Sequence, residues 1–175
     1  HLVRDLRAGR PCHHGAPTDR IRPPPVTLTA GDVKACAAEL GFVACGITDL
    51  APSIRAAALT RWLEKGYGGN MRYLNRQAKK RRDLRLIDRE AVRAVVILDN
   101  YYYQDADVKR GIPRTARYSR SKDYHIVTLN RINELAELLM KHGARTARHY
   151  VDTGPVPERE LAGRAGLGWI GKNTM

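Results

Sequence analysis

Cysteine is scarce in this chain of 175 residues, which has only Cys12, Cys36 and Cys45. An odd number without a regular spacing excludes a fold stapled by a disulfide framework. Cys12-His13-His14 has no second cluster to complete a tetrahedral metal set, so the triplet reads as incidental. Long apolar runs are missing too: none approaches the roughly 18 residues that a membrane span needs, which points to a soluble protein. No basic leader followed by an apolar stretch is seen, and together with the unpaired cysteines this gives the cytoplasm as the expected compartment. There is no internal repeat. Acidic residues are few, 18 Asp and Glu against 31 Lys and Arg.

The charge imbalance is the first positive signal. A net charge of +13 favours a polyanionic partner, nucleic acid above all, with a solvated basic surface as the plain alternative. The hydrophobic fraction of 43% is that of a globular chain, and the length suits one domain with a real core. Residues 1–25 mix Arg, Gly, Pro and His and end in Pro23-Pro24-Pro25. They read as a disordered extension ahead of a domain at 26–175.

Periodicity supplies the elements. Thr29 followed by Asp32 resembles a capping box, with Val33, Ala37 and Leu40 at helical spacing before Gly41. Residues 42–47 read as a short buried strand. Residues 53–65 read as an amphipathic helix carrying Ile54, Ala58 and Trp62 on one stripe, with Trp62 assigned to the core. After a helical turn, residues 94–98 form a β-branched apolar run and hence a central strand. The clearest helix runs over 124–141, with Tyr124, Thr128, Ile132, Leu135 and Leu139 on one face and Gly143 ending it. Residues 147–151 alternate apolar with polar, the pattern of a half-buried strand, and a last helix follows. The fold class expected is therefore α/β or an α+β sandwich, with helices covering a sheet of at least three strands.

Two basic stretches stand out. Residues 72–93 hold nine Lys or Arg against three acids, including Lys79, Lys80, Arg81 and Arg82. Residues 109–122 hold six basic residues and no acid, among them Arg114, Arg117 and Arg120 around Tyr118. Both are candidates for phosphate contacts, because guanidinium pairs with phosphate while a nearby ring can stack on a base. Asn100-Tyr101-Tyr102-Tyr103, just past a strand end, can line a cofactor pocket, stack on bases or pack on the core.

Residues 151–175 hold the densest chemistry. Asp152 is expected at the carboxyl end of the third strand, followed by the turn Thr153-Gly154-Pro155. The next helix should start near Pro155 or Pro157, with Glu158 at the positive end of its dipole and Gly166 just past its end. Taken alone, Asp152 reads as a helix cap. Gly166 to Gly171 matches G-x-G-x-x-G, but a helix rather than a strand precedes it, so a dinucleotide reading is set aside. These glycines suit a close turn or the approach of backbone to a large flat cofactor.

The run D-T-G-P-V-P-E-R-E-L-A-G-R-A-G-L-G-W-I-G-K-N-T resembles the signature of epoxyqueuosine reductases, cobalamin-dependent iron–sulfur enzymes of tRNA queuosine modification. Gly68 to Leu74 is similar to that family's G-x-M-x-Y-[ML] segment, and Tyr118 to His125 to its Y-[AS]-x-G-[RK]-D-Y-H segment, with Ser121 where the family usually has Gly. The matches fall in order over roughly residues 27–175. The resemblance implies a cobalamin-binding domain related to the nitroreductase architecture. It implies Asp152 as the acid that protonates the epoxide oxygen, and Arg76, Arg120, His125, Asp152, Lys172 and Asn173 near the cofactor. It implies tRNA carrying epoxyqueuosine as substrate and an external electron donor, with no membrane partner; a monomer is expected. The family's [4Fe–4S] clusters use C-x₂-C-x₂-C-x₃-C-P runs, which this chain lacks, so it is expected to be an N-terminal fragment with no cluster or metal ligands of its own. Two other classes stay open: an RNA-binding module without catalysis, and a corrinoid or flavin oxidoreductase acting on a small molecule.

Overall fold

The computed structural model describes residues 28–102, 104, 111, 115–120 and 122–172. Helix α1, Ala30–Glu39, starts from the expected capping box: the Thr29 side chain accepts from the Asp32 N–H, and the Asp32 carboxylate accepts from the Thr29 N–H at 2.8 Å. These bonds satisfy donors that a helix N-terminus otherwise leaves open. Val33 and Ala37 face inward, and Gly41, at φ 80, turns the chain so that Phe42 enters the core.

Strand β1, Ala44–Thr48, and strand β2, Ala94–Leu98, pair antiparallel with Ala44 opposite Leu98 and Thr48 opposite Ala94. Successive residues of a strand face opposite sides, and each side is covered by helix. On one, Cys45 and Ile97 join Ala37, Phe42, Leu135, Ile132 and Leu139, where α1 and α4, Tyr124–Lys141, pack. On the other, Gly46 lies against Ala165 and Leu167, just past the end of α5, Glu158–Arg164. A side chain at Gly46 would put Cβ 2.8 Å from both the Cβ and the carbonyl oxygen of Ala165, so close packing requires glycine here. The layering is that of the expected α+β sandwich.

Helices α2, Ala56–Glu64, and α3, Arg72–Arg82, form a second pair. They are joined by Arg82, whose Nη1 donates to Thr60 Oγ1 at 2.9 Å. Only a helical turn was expected in this region, whereas α3 runs for 11 residues and ends in Lys79, Lys80, Arg81 and Arg82. Four cations in the last turn complement the negative end of the helix dipole.

Three expectations need correction. Residues 147–151 do not form a third strand, and the sheet of the described residues has two strands. Their burial runs half-buried, exposed, exposed, half-buried, half-buried, so the alternation in the sequence does not become alternating faces. Asp152 consequently does not stand at a strand end. Helix α2 begins at Ala56 rather than at 53, because the Ser53 hydroxyl accepts from the Arg55 N–H and donates to Glu160; Ile54, placed on the buried stripe, is 81% exposed. Trp62 is half-buried and meets Tyr67 edge-on at 6.4 Å rather than entering the core.

Candidate active site

Asp152 is the one non-glycine residue of the described chain with positive φ, at 53°. The Thr153 N–H reaches back to the Val151 carbonyl at 2.5 Å, so Asp152 is the apex of a three-residue turn. A left-handed backbone costs an L-residue about 1 to 2 kcal/mol, less for Asp and Asn than for others. Such a conformation persists where neighbours determine it, and it concentrates at functional sites.

The neighbours are identifiable. On the carboxylate side, Tyr124 Oη donates to Asp152 Oδ2, and His125 Nε2 is 3.7 Å from the same oxygen. Both come from the first turn of α4, which Asp123 caps by accepting the His125 N–H at 2.9 Å; Asp123 Oδ1 also meets His125 Nδ1 at 2.8 Å. The Tyr124 and His125 rings stack with centroids 4.1 Å apart. The bond to Asp152 pushes the Tyr124 phenol up to about 12, so it remains a donor at neutral pH. On the backbone side, Arg81 Nη2 donates to the Gly154 carbonyl at 3.1 Å, and the Tyr150 ring fills the space over Gly154. The Glu158 carboxyl is raised by desolvation and by the charge of Asp152.

Asp152 itself is 58% exposed at its side chain. Burial is therefore not what this part of the protein gives it. The tyrosines beyond β2 extend the face: Tyr101 meets Tyr118 edge-on at 6.5 Å, and Arg117 lies over the Tyr102 ring at 4.5 Å. Tyr118 in turn acts electrostatically on Tyr124. Tyr101, Tyr102 and Tyr118 all expose about half their surface or more, at 63%, 63% and 48%. The arrangement is an open, ring-rich face leading to a carboxylate. Two cavities of about 200 and 270 Å³ lie elsewhere, one between α2 and α3 and one beside Ile54 and Glu160.

Of the residues singled out in the sequence, His125 and Asp152 come together. Arg76, Lys79 and Lys80 are exposed on α3, and Lys172 is exposed near the end of the described chain. Arg120 Nε donates to the Thr115 carbonyl at 2.5 Å. Arg81 and Arg82 are half-buried and bonded within the protein. Arg114 and Asn173 lie outside the described residues, as do Cys12 and the extension at 1–25. Among the described residues no group of three or more His, Cys, Asp or Glu is placed to hold a metal ion, and no helix is long and apolar enough to cross a membrane. Sequence reasoning missed Tyr124, which it assigned to the packed face of α4, and the contact of Arg81 with the Asp152 turn. No local signal links positions 28 and 73 residues apart.

Comparison with known proteins bears on this face. Residues 81–153 match the protein-family model described as "Epoxyqueuosine reductase QueG, DUF1730". The chain is 38% identical over 146 residues to an epoxyqueuosine reductase of Cyclobacterium marinum, covering 82% of this chain and 47% of that protein. It is 35% identical over 163 residues to the Pseudomonas aeruginosa protein of the same name, covering 90% of this chain and 45% of the relative. The chain thus spans about half the length of the curated relatives it matches. Its fold resembles that of epoxyqueuosine reductase from Streptococcus thermophilus, with TM-score 0.67 over 81% of this chain and 40% of the other, at 24% identity. An epoxyqueuosine reductase solved with an epoxyqueuosine-modified tRNA-Tyr stem loop gives TM-score 0.69 over 83% of this chain and 40% of the other, also at 24% identity.

Proposed function

Because the chain belongs to the epoxyqueuosine reductase family, we propose that it supplies the general acid for reduction of epoxyqueuosine to queuosine in the wobble nucleoside of a tRNA anticodon. Residues 26–175 would form the cobalamin-binding catalytic domain of a cytoplasmic, monomeric enzyme fed by an external electron donor, with [4Fe–4S] clusters held elsewhere in the enzyme. The observation that carries this reading is the exposed carboxylate of Asp152, held at a left-handed turn and fixed by Tyr124.

Converting an epoxide to an alkene with loss of water consumes two electrons and two protons. This chain's part is the proton. Tyr124 and His125 both address Oδ2, which leaves Oδ1 to present a proton to the epoxide oxygen. Tyr124, a donor at neutral pH, fixes the carboxyl's orientation without competing for its proton. The His125 ring, beside the same oxygen, is placed to return a proton after turnover.

What supports a large flat cofactor on this face is that exposed rings adjoin the carboxylate, while neither cavity has room for one. Cobalamin, when bound, would supply a reduced cobalt centre that engages the epoxide-bearing ring. Arg76, Arg120, His125, Lys172 and Asn173 are the side chains assigned to its amides and phosphate. RNA phosphates fall to Lys79 and Lys80, exposed on α3, and to Arg114 and Arg117, where Arg117 brings its charge over the Tyr102 ring.

Asp152→Asn in the full-length enzyme tests the assignment. Asn adopts the left-handed turn as readily and keeps an acceptor for Tyr124, but it has no proton to give. General acid catalysis contributes about 10² to 10⁴ in rate, roughly 3 to 5 kcal/mol of barrier. Single-turnover conversion by pre-reduced enzyme should fall by at least about 10²-fold while tRNA affinity is kept. A loss below about threefold in folded protein would return Asp152 to a structural cap.

A further inference from the structure

The Asp152 turn is gripped from a second element besides α4. From the last turn of α3, Arg81 Nη2 reaches the Gly154 carbonyl at 3.1 Å. The turn's own bond, from the Thr153 N–H to the Val151 carbonyl, closes around Asp152 at its positive φ. The Tyr150 ring also packs where a Gly154 side chain would be. The turn between these contacts has no strand ladder on either side to hold it.

We infer that Arg81 is a positioning residue for Asp152, acting by holding the Gly154 carbonyl. The inference rests on Asp152 being the proton donor, and it takes Arg81 out of the phosphate-contacting set in which its basic run would place it. Half-buried and bonded to the Gly154 carbonyl, the Arg81 guanidinium is turned toward its own chain, unlike the exposed Lys79 and Lys80. Proton transfer is sensitive to ångström displacements, so loosening the turn should lower the rate without changing how RNA is held.

The experiment uses the full-length enzyme with Arg81→Ala and, as comparison, Lys79→Ala with Lys80→Ala. Three quantities are read: hydrogen exchange of the peptide covering residues 150–156, the single-turnover rate at saturating enzyme, and the slope of log affinity for an anticodon stem loop against log salt. Arg81→Ala should speed exchange at the turn at least about fivefold and slow turnover about tenfold, with the slope unchanged. The lysine pair should leave exchange unchanged and flatten the slope by up to about 1.4, at roughly 0.7 per phosphate contact on a single strand. Unchanged exchange in Arg81→Ala, or a slope flattened by about 0.7 in Arg81→Ala at full rate, overturns the inference. If Arg81→Ala does not fold, Arg81→Gln replaces it, and unchanged exchange and rate again overturn it. Failure of Asp152→Asn to slow turnover would refute the acid role separately, because exchange at the turn reads the clamp without reference to activity.

Discussion

Replacing Glu160 with Ala should be among the most damaging single changes to this fold. The residue is 5% exposed, and its carboxylate accepts from Ser53 Oγ at 2.6 Å and from the Ile54 N–H at 3.0 Å, and so ties α5 to the turn before α2 across more than a hundred residues. Hydrogen bonds to a charged acceptor contribute about 1.5 to 3 kcal/mol each, which sets an upper range near 3 to 6 kcal/mol. Two effects reduce it. Removing a buried carboxylate also removes its desolvation cost, and Ile54, being largely exposed, can offer its N–H to water. The expected loss for Glu160→Ala is therefore about 2 to 4 kcal/mol. Glu160→Gln should cost only about 1 kcal/mol, since the amide oxygen can accept from Ile54 while its NH₂ donates to the Ser53 hydroxyl. Urea unfolding of wild type and both variants, with m-values compared, decides the matter. A loss below about 1 kcal/mol for Ala, or equal losses for Ala and Gln, would refute the view that this carboxylate docks α5.

Gly46→Ala should destabilise by about 1 to 3 kcal/mol in the same assay, because the new methyl meets the Ala165 backbone, which cannot swing aside as a side-chain tip could. Tyrosinate absorbance on alkaline titration should show one of the eight tyrosines ionising late, near pH 12, and Tyr124→Phe should abolish that late step. The sign follows from linkage: a phenol whose folded value lies above its unfolded value near 10 contributes stability that is complete below pH 10. That contribution disappears as pH rises toward 12. A titration of the Phe variant that kept the late step would assign it to another tyrosine.

Several elements were determined by local sequence alone. The Thr29 and Asp32 box, the end of α1 at Gly41, the full span of α4 and the apolar run of β2 depend on bonds and periodicities within a few residues, so the chain near them carries all the information. The motif around Asp152 and His125 was legible for a similar reason, since resemblance needs only residue order. Tertiary structure decided what residues 147–151 become: an alternating pattern permits a strand, but a strand needs a partner to pair with, and the fold sets these residues against neither β1 nor β2. It also decided which cations face solvent, because Lys79 and Arg81 are indistinguishable as members of one basic run until α3 rotates one outward and the other onto the Gly154 carbonyl. The setting of Asp152 was settled last, by Tyr124 across 28 residues and by Arg81, whose bond to Gly154 spans 73. Contacts at such separations arise from packing of whole elements, and the chain beside Asp152 contains no trace of them.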